Sequence, residues 1–101
     1  MNGWRTPINS DTYTVKYNDT IVSVAIHISS GVPYKTTEQT FGAEILKDST
    51  RGIDLRPSMP IYNYQTYNQW IWLTDNSYNL HYKGVKDTTG SAYGLFTYAR
   101  R

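Results

Sequence analysis

Two tryptophans stand one residue apart in "WIWLTDNSYNLHY", residues 70 to 82, with His81 and two tyrosines beyond a turn signal at Asp75 and Asn76. Both turn residues tolerate positive φ, so a two-residue primed turn there predicts the pairs Thr74 with Ser77, Leu73 with Tyr78, Ile71 with Leu80 and Trp70 with His81. Side chains alternate across a strand, and any even-length link keeps the same sides together. One face then holds Ile71, Leu73, Tyr78, Leu80 and Tyr82, and the other Trp70, Trp72, Thr74, Asn79, His81 and Lys83. The apolar face must turn inward, which sets two indoles among polar neighbours on the outside. Three readings account for them. They contact a second subunit, where tryptophan and tyrosine are enriched; or they stack on a ligand such as a sugar, whose hydroxyls Asn79, His81 or Asp75 would bond; or residues 48 to 60 of the same chain cover them.

Other chemistry is thinly supplied. The chain has no cysteine, which removes thiol catalysis, disulfides and thiolate metal sites, and no serine sits in a glycine-flanked elbow. His27 and His81 are the only histidines, too few for a histidine-rich metal centre. Glycoside hydrolysis needs two opposed carboxylates; Asp54 with Asp75 or Glu44 could supply them, but nothing in the sequence fixes their separation. Neither a catalytic residue nor a metal or cofactor is expected. His27, on the polar side of its strand, is either a surface residue or a ligand or subunit contact. Arg56, just before Pro57, either bonds an acidic ligand or fixes its loop. Tyr62 and Tyr64 share a strand face that suits core packing or an aromatic groove equally. The candidate ligand residues are therefore Trp70, Trp72, His81, Asn79, Asp75, Arg56, Tyr62 and His27.

The elements that must position them read as strands. "TYTVKY" alternates Tyr13, Val15 and Tyr17 with polar residues, "NDT" reads as a turn rather than a glycan acceptor, and "IVSVAIHIS" puts Val22, Val24, Ile26 and Ile28 on one face. "SGVPYKTTEQ" starts as a loop. "TFGAEILK" reads as a strand with a bulge at Gly42, "DSTRGIDLRPSMP" as an irregular connection, and "IYNYQTY" and "AYGLFTYA" as further strands. The sum is seven or eight short strands and no helix, which predicts an all-β antiparallel sandwich, jelly roll or small barrel. Residues 1 to 11 read as an arm or the end of a preceding shaft, and residues 12 to 101 as a single domain.

Composition narrows the partners. Of 101 residues ten are tyrosine and three tryptophan, so much of the burial falls to side chains with a polar end. The net charge of +2 is scattered along the chain, with only Arg100 and Arg101 adjacent, whereas a nucleic-acid binder concentrates its charge on one face. No apolar run reaches the length of about 20 residues that crosses a bilayer. Neither a nucleic-acid partner nor membrane insertion is expected.

The order of signals, from "YTVKYNDTIVSVAIHI" through "GIDLRPSMPIY" to "LTDNSYNLHY" and a closing tyrosine-containing strand, resembles the carboxy-terminal head domains of tail receptor-binding proteins of phages that infect Gram-positive bacteria. The likeness runs from about Tyr13 to Tyr98. It implies a compact sandwich or jelly roll that assembles as a homotrimer at a virion's tail tip or baseplate. It also implies recognition of a host cell-wall saccharide or teichoic-acid-like polymer. The expected function is thus a non-enzymatic adhesin head that binds saccharide by aromatic stacking and hydrogen bonds. A trimerisation or capping domain of a fibre, and a single-stranded nucleic-acid-binding barrel, are the alternatives.

Overall fold

A computed structural model describes residues 3–34, 36–66, 69–85 and 88–101. Among them lie ten strands: β1 (Arg5–Asn9), β2 (Tyr13–Tyr17), β3 (Ile21–Tyr34), β4 (Gln39–Phe41), β5 (Lys47–Asp48), β6 (Ile53–Asp54), β7 (Ile61–Thr66), β8 (Gln69–Leu73), β9 (Leu80–Gly84) and β10 (Thr88–Ala99). All pairings are antiparallel. They build one four-stranded sheet in the order β1-β2-β3-β10, a second in the order β4-β9-β8-β7, and a two-stranded β5-β6 piece.

Period-two patterning explains the first sheet. Val15 pairs Val24 and Tyr17 pairs Val22, so both apolar rows of the β2-β3 hairpin fall on one side and are buried. Asn18 makes its turn, its Oδ1 accepting the backbone N–H groups of Thr20 and Ile21 at 2.9 Å each. On β10, Ala92, Gly94 and Phe96 face the same interior while Tyr93 and Leu95 face out. From the second sheet Ile71, Leu73 and Leu80, all at 0% exposure, meet Val22, Val24 and Phe96 in a single core. At about 25 cal/mol per Å² of apolar surface removed from water, such a core is the main source of stability.

The sheet edges are blunted. β1 carries Pro7 and a register shift between Arg5 and Ile8, and β4 is only three residues long. β10 and β7 lie against one another, and side-chain amides from the second sheet cap carbonyls along β10: Asn63 Nδ2 donates to Leu95 O at 2.7 Å and Gln69 Nε2 to Ser91 O at 3.4 Å. These contacts leave the broad faces, rather than the edges, for docking.

Four expectations need correction. "SGVPYKTTEQ" does not begin as a loop, because β3 runs on to Tyr34, pairing with β10 beyond a register shift between Gly90 and Ala92. "TFGAEILK" is not a continuous strand: the backbone turns left-handed at Gly42 (φ 79°) and again at Glu44 (φ 55°), which ends β4 at Phe41. "DSTRGIDLRPSMP" contains the β5-β6 hairpin. Residues 48 to 60 do not cover the tryptophans; Asp48 bonds Tyr17, the Leu55 carbonyl accepts from Tyr98, and Arg56 lies over Tyr78. In the stretch read as an arm, residues 5–9 form β1. The side chain of Tyr64 lies outside the described residues.

Candidate functional site

The link between β8 and β9 spans six residues rather than two. Leu73 pairs Leu80, Ile71 pairs Tyr82, Trp72 pairs His81 and Trp70 pairs Lys83, so the expected register is displaced by two residues while the sides are kept. The displacement has a cause in a segment of the same chain that lies beside the link. Asn79 Oδ1 accepts the Glu44 N–H at 2.8 Å, the Tyr78 carbonyl accepts the Leu46 N–H at 3.1 Å, and Ser77 Oγ accepts the Asn79 N–H at 3.1 Å. Residues 77–79 are thereby drawn off the ladder toward the segment that follows β4.

On the outward face of the second sheet the side chains stand in two rows across the strands. Tyr62, Trp72, His81 and Thr40 form the first, by direct cross-strand pairing. Trp70 and Lys83 form the second, which Glu38, one residue before β4, extends on the far side of Lys83. A groove of about 600 Å³ is lined by Glu38, Tyr62, Trp70, Trp72 and Lys83. Trp70 is 43% exposed and Tyr62 63%, whereas Trp72 is only 9% exposed.

Within the first row the rings pack against one another. Trp72 stacks on Tyr62 (centroids 6.0 Å apart, planes at 26°) and on His81 (5.7 Å, 22°). His81 is buried; its Nδ1 lies 3.3 Å from Thr40 Oγ1 and 3.5 Å from Glu38 Oε1, and its Nε2 has no hydrogen-bond partner among the described residues. Glu38 therefore touches His81 and lines the groove as well.

These contacts overturn the adhesin reading. Sugar stacking needs an open ring face, and the two faces of Trp72 are taken by Tyr62 on one neighbouring strand and His81 on the other. The paired indoles form no exposed aromatic platform, because one of the two is buried within its own subunit. The groups meant to bond hydroxyls are also committed elsewhere: the Asn79 side chain accepts from Glu44, and His81 sits under Trp72. No group of three His, Cys, Asp or Glu side chains among the described residues could bridge a sugar through a metal ion. The base-stacking alternative relied on the same rings and falls with it.

Of the eight candidate ligand residues, the structure gathers Trp70, Trp72, Tyr62 and His81 at one place. Asn79 and Asp75 lie in the β8-β9 link, where Asp75 offers its carbonyl to Arg101 Nη2 at 3.0 Å. Arg56 is held in a two-pronged pair with Asp54 (Nη2 to Oδ2 2.7 Å, Nε to Oδ1 3.0 Å) and lies 4.2 Å from the Tyr78 ring centroid. The Arg56 hydrogen bonds hold the Asp54 carboxyl below its usual range against the opposing effect of burial. His27 stands on the outer face of the other sheet, stacked on Tyr93 at 4.8 Å. Sequence reasoning missed Glu38 and Lys83 as groove walls. The signal for Lys83 was its place on the Trp70 face, whereas Glu38 arrives only through the β4-β9 pairing, from more than 40 positions away in the chain.

A second polar cluster lies below the core. Asp48, at 0% exposure, accepts Tyr17 OH at 2.5 Å, Thr50 Oγ1 at 2.7 Å and Arg51 Nη1 at 3.3 Å. Its groups bond one another and tie β2 to the β5-β6 hairpin. Comparison with known proteins returned no matching family model, curated protein or solved structure. None therefore identifies the chain as a phage tail protein.

Proposed function

We propose that this chain is a non-catalytic binding domain that presents the outer face of its β4-β9-β8-β7 sheet to an extended segment of another polypeptide. The groove carries this reading: exposed Trp70 and Tyr62 flank buried Trp72 on one sheet face, with one carboxylate, Glu38, and one ammonium, Lys83, at the rim. An aromatic centre inside a polar rim is the composition of a protein-binding hot spot. The volume falls within the range of sites that enclose a ligand group. A balanced pair of charges disfavours a polyphosphate chain, which is held by an excess of cations. Main-chain amides and an apolar anchor side chain suit the groove better, since they offer both donors and acceptors. Two sheets over one core support reading the architecture as a sandwich. Closure as a jelly roll, assembly as a trimer and placement in a tail rest on the sequence resemblance alone.

Selection of random peptides on the immobilised domain tests the reading. Enriched peptides should bind with Trp70→Ala weakening them tenfold or more, about 1.4 kcal/mol, and with Leu95→Ser, on the opposite sheet, leaving them unchanged. Failure to enrich any peptide, or equal binding to Trp70→Ala, would overturn it.

A further inference from the structure

We propose that protonation of His81 switches the charge of the groove by claiming the Glu38 carboxylate. The inference rests on the reading of the groove as a binding surface and adds its regulation. Its basis is one juxtaposition: Glu38 lines the groove and at the same time places Oε1 3.5 Å from Nδ1 of a histidine that is 8% exposed.

Histidine is the side chain whose charge ordinarily changes near neutral pH. While the ring is neutral, Thr40 can donate to Nδ1, or Nδ1–H can donate to Glu38; either tautomer leaves Nε2 unmet. Protonation from solvent therefore creates no additional orphan nitrogen. It converts the Nδ1 contact into a charge-assisted bond to the Glu38 carboxylate, and the imidazolium gains the stacked face of Trp72. Among the described residues, His81 meets few groups. From β8 it meets Trp72, with the Tyr62 phenol beyond that ring; from β4 and the residue before it come Thr40 and Glu38; on its own strand Lys83 stands two residues on, on the same face. With the ring neutral, Glu38 and Lys83 balance at zero. With the ring charged, Glu38 is spent on His81 and Lys83 stands unopposed, giving the groove a net charge of +1. Acid conditions should then favour partner segments that carry a carboxylate at the rim, and alkaline conditions those that carry none.

Charged quenchers of tryptophan fluorescence read this without any ligand. As pH falls from 8 to 5, iodide quenching of the exposed indole should rise by about 1.5-fold and caesium quenching fall by a similar factor, the effect of one unit of charge within a Debye length. His81→Gln should abolish the change. Glu38→Gln, which leaves the ring in place and serves should the first variant not fold, should show raised iodide quenching already at pH 8. A flat wild-type profile, a profile unaltered in His81→Gln, or Glu38→Gln quenching at pH 8 equal to that of wild type would each overturn the switch. The peptide selection at constant pH judges the binding reading separately.

Discussion

Asp48 gives the sharpest quantitative test of how this domain is held together. Its buried carboxylate would be pushed upward by loss of water, but hydrogen bonds from Tyr17, Thr50 and Arg51 outweigh burial and hold the pKa at about 2, against an ordinary 3.8. At 1.36 kcal/mol per unit the gap corresponds to about 2.5 kcal/mol of stability. Because the folded-state value is depressed, this contribution is complete above the unfolded value near pH 4 and is lost as pH falls through about 2. Asp48→Asn preserves the shape and removes the charge. Urea denaturation at pH 7 should place the variant about 2 kcal/mol below wild type, a large share of a small domain's total. Repeated at pH 4, 3 and 2, the same measurement should show the difference closing as the wild-type carboxylate protonates. A difference that persists undiminished to pH 2 would refute the reasoning, since the loss would then come from packing or hydrogen-bond geometry rather than from the ionised acid.

Two further predictions separate structural from surface roles. Trp72→Ala should cost about 3 kcal/mol by thermal or urea unfolding, as expected for a buried aromatic, whereas Trp70→Ala should stay within about 1 kcal/mol of wild type, so equal losses would contradict the assigned burial. Tyr98 donates its hydroxyl to the Leu55 carbonyl at 2.6 Å, and burial followed by the Asp54 charge raises its phenol well above the ordinary tyrosine range. Tyr98→Phe should therefore cost about 1 kcal/mol, and in an ultraviolet titration of the wild type at least one tyrosine should remain un-ionised until alkaline unfolding. The sign follows from the raised value: this stabilisation is present below about pH 10 and lost as pH rises through the folded-state value.

Much of the fold was legible because alternation is a local property. Tyr13, Val15 and Tyr17 against Val22, Val24 and Ile26 announce the β2-β3 hairpin, and the "NDT" turn closes it as expected. The all-β antiparallel class follows from several such runs. The sidedness of the β8-β9 hairpin was legible too, since Ile71, Leu73, Leu80 and Tyr82 do face the core. Its register was not. The Asp75-Asn76 dipeptide favours a tight turn, and that preference lost to hydrogen bonds from Glu44 and Leu46, residues more than 30 positions away whose approach no local signal announces. Gly42 was visible as a break, but that it ends the strand rather than bulging it goes with the second left-handed residue, Glu44, which no glycine announces.

The candidate site shows why sidedness alone could not settle function. Alternation places Trp70 and Trp72 on the same outer face, and from that fact they look equivalent. What separates them is the cross-strand neighbour each receives. The register that pairs Trp72 with Tyr62 on one side and His81 on the other seals its ring, while the same register pairs Trp70 with Lys83. Had the turn formed at Asp75-Asn76, His81 would have stood opposite Trp70 and the burial of the two indoles would have been set by other partners. A displacement of two residues changes no face and yet decides which tryptophan is packing and which is surface. Glu38 comes within reach of His81 through a separate register, the β4-β9 pairing that sets Thr40 against His81, so the buried indole and the Glu38 contact are fixed by two different strand pairings.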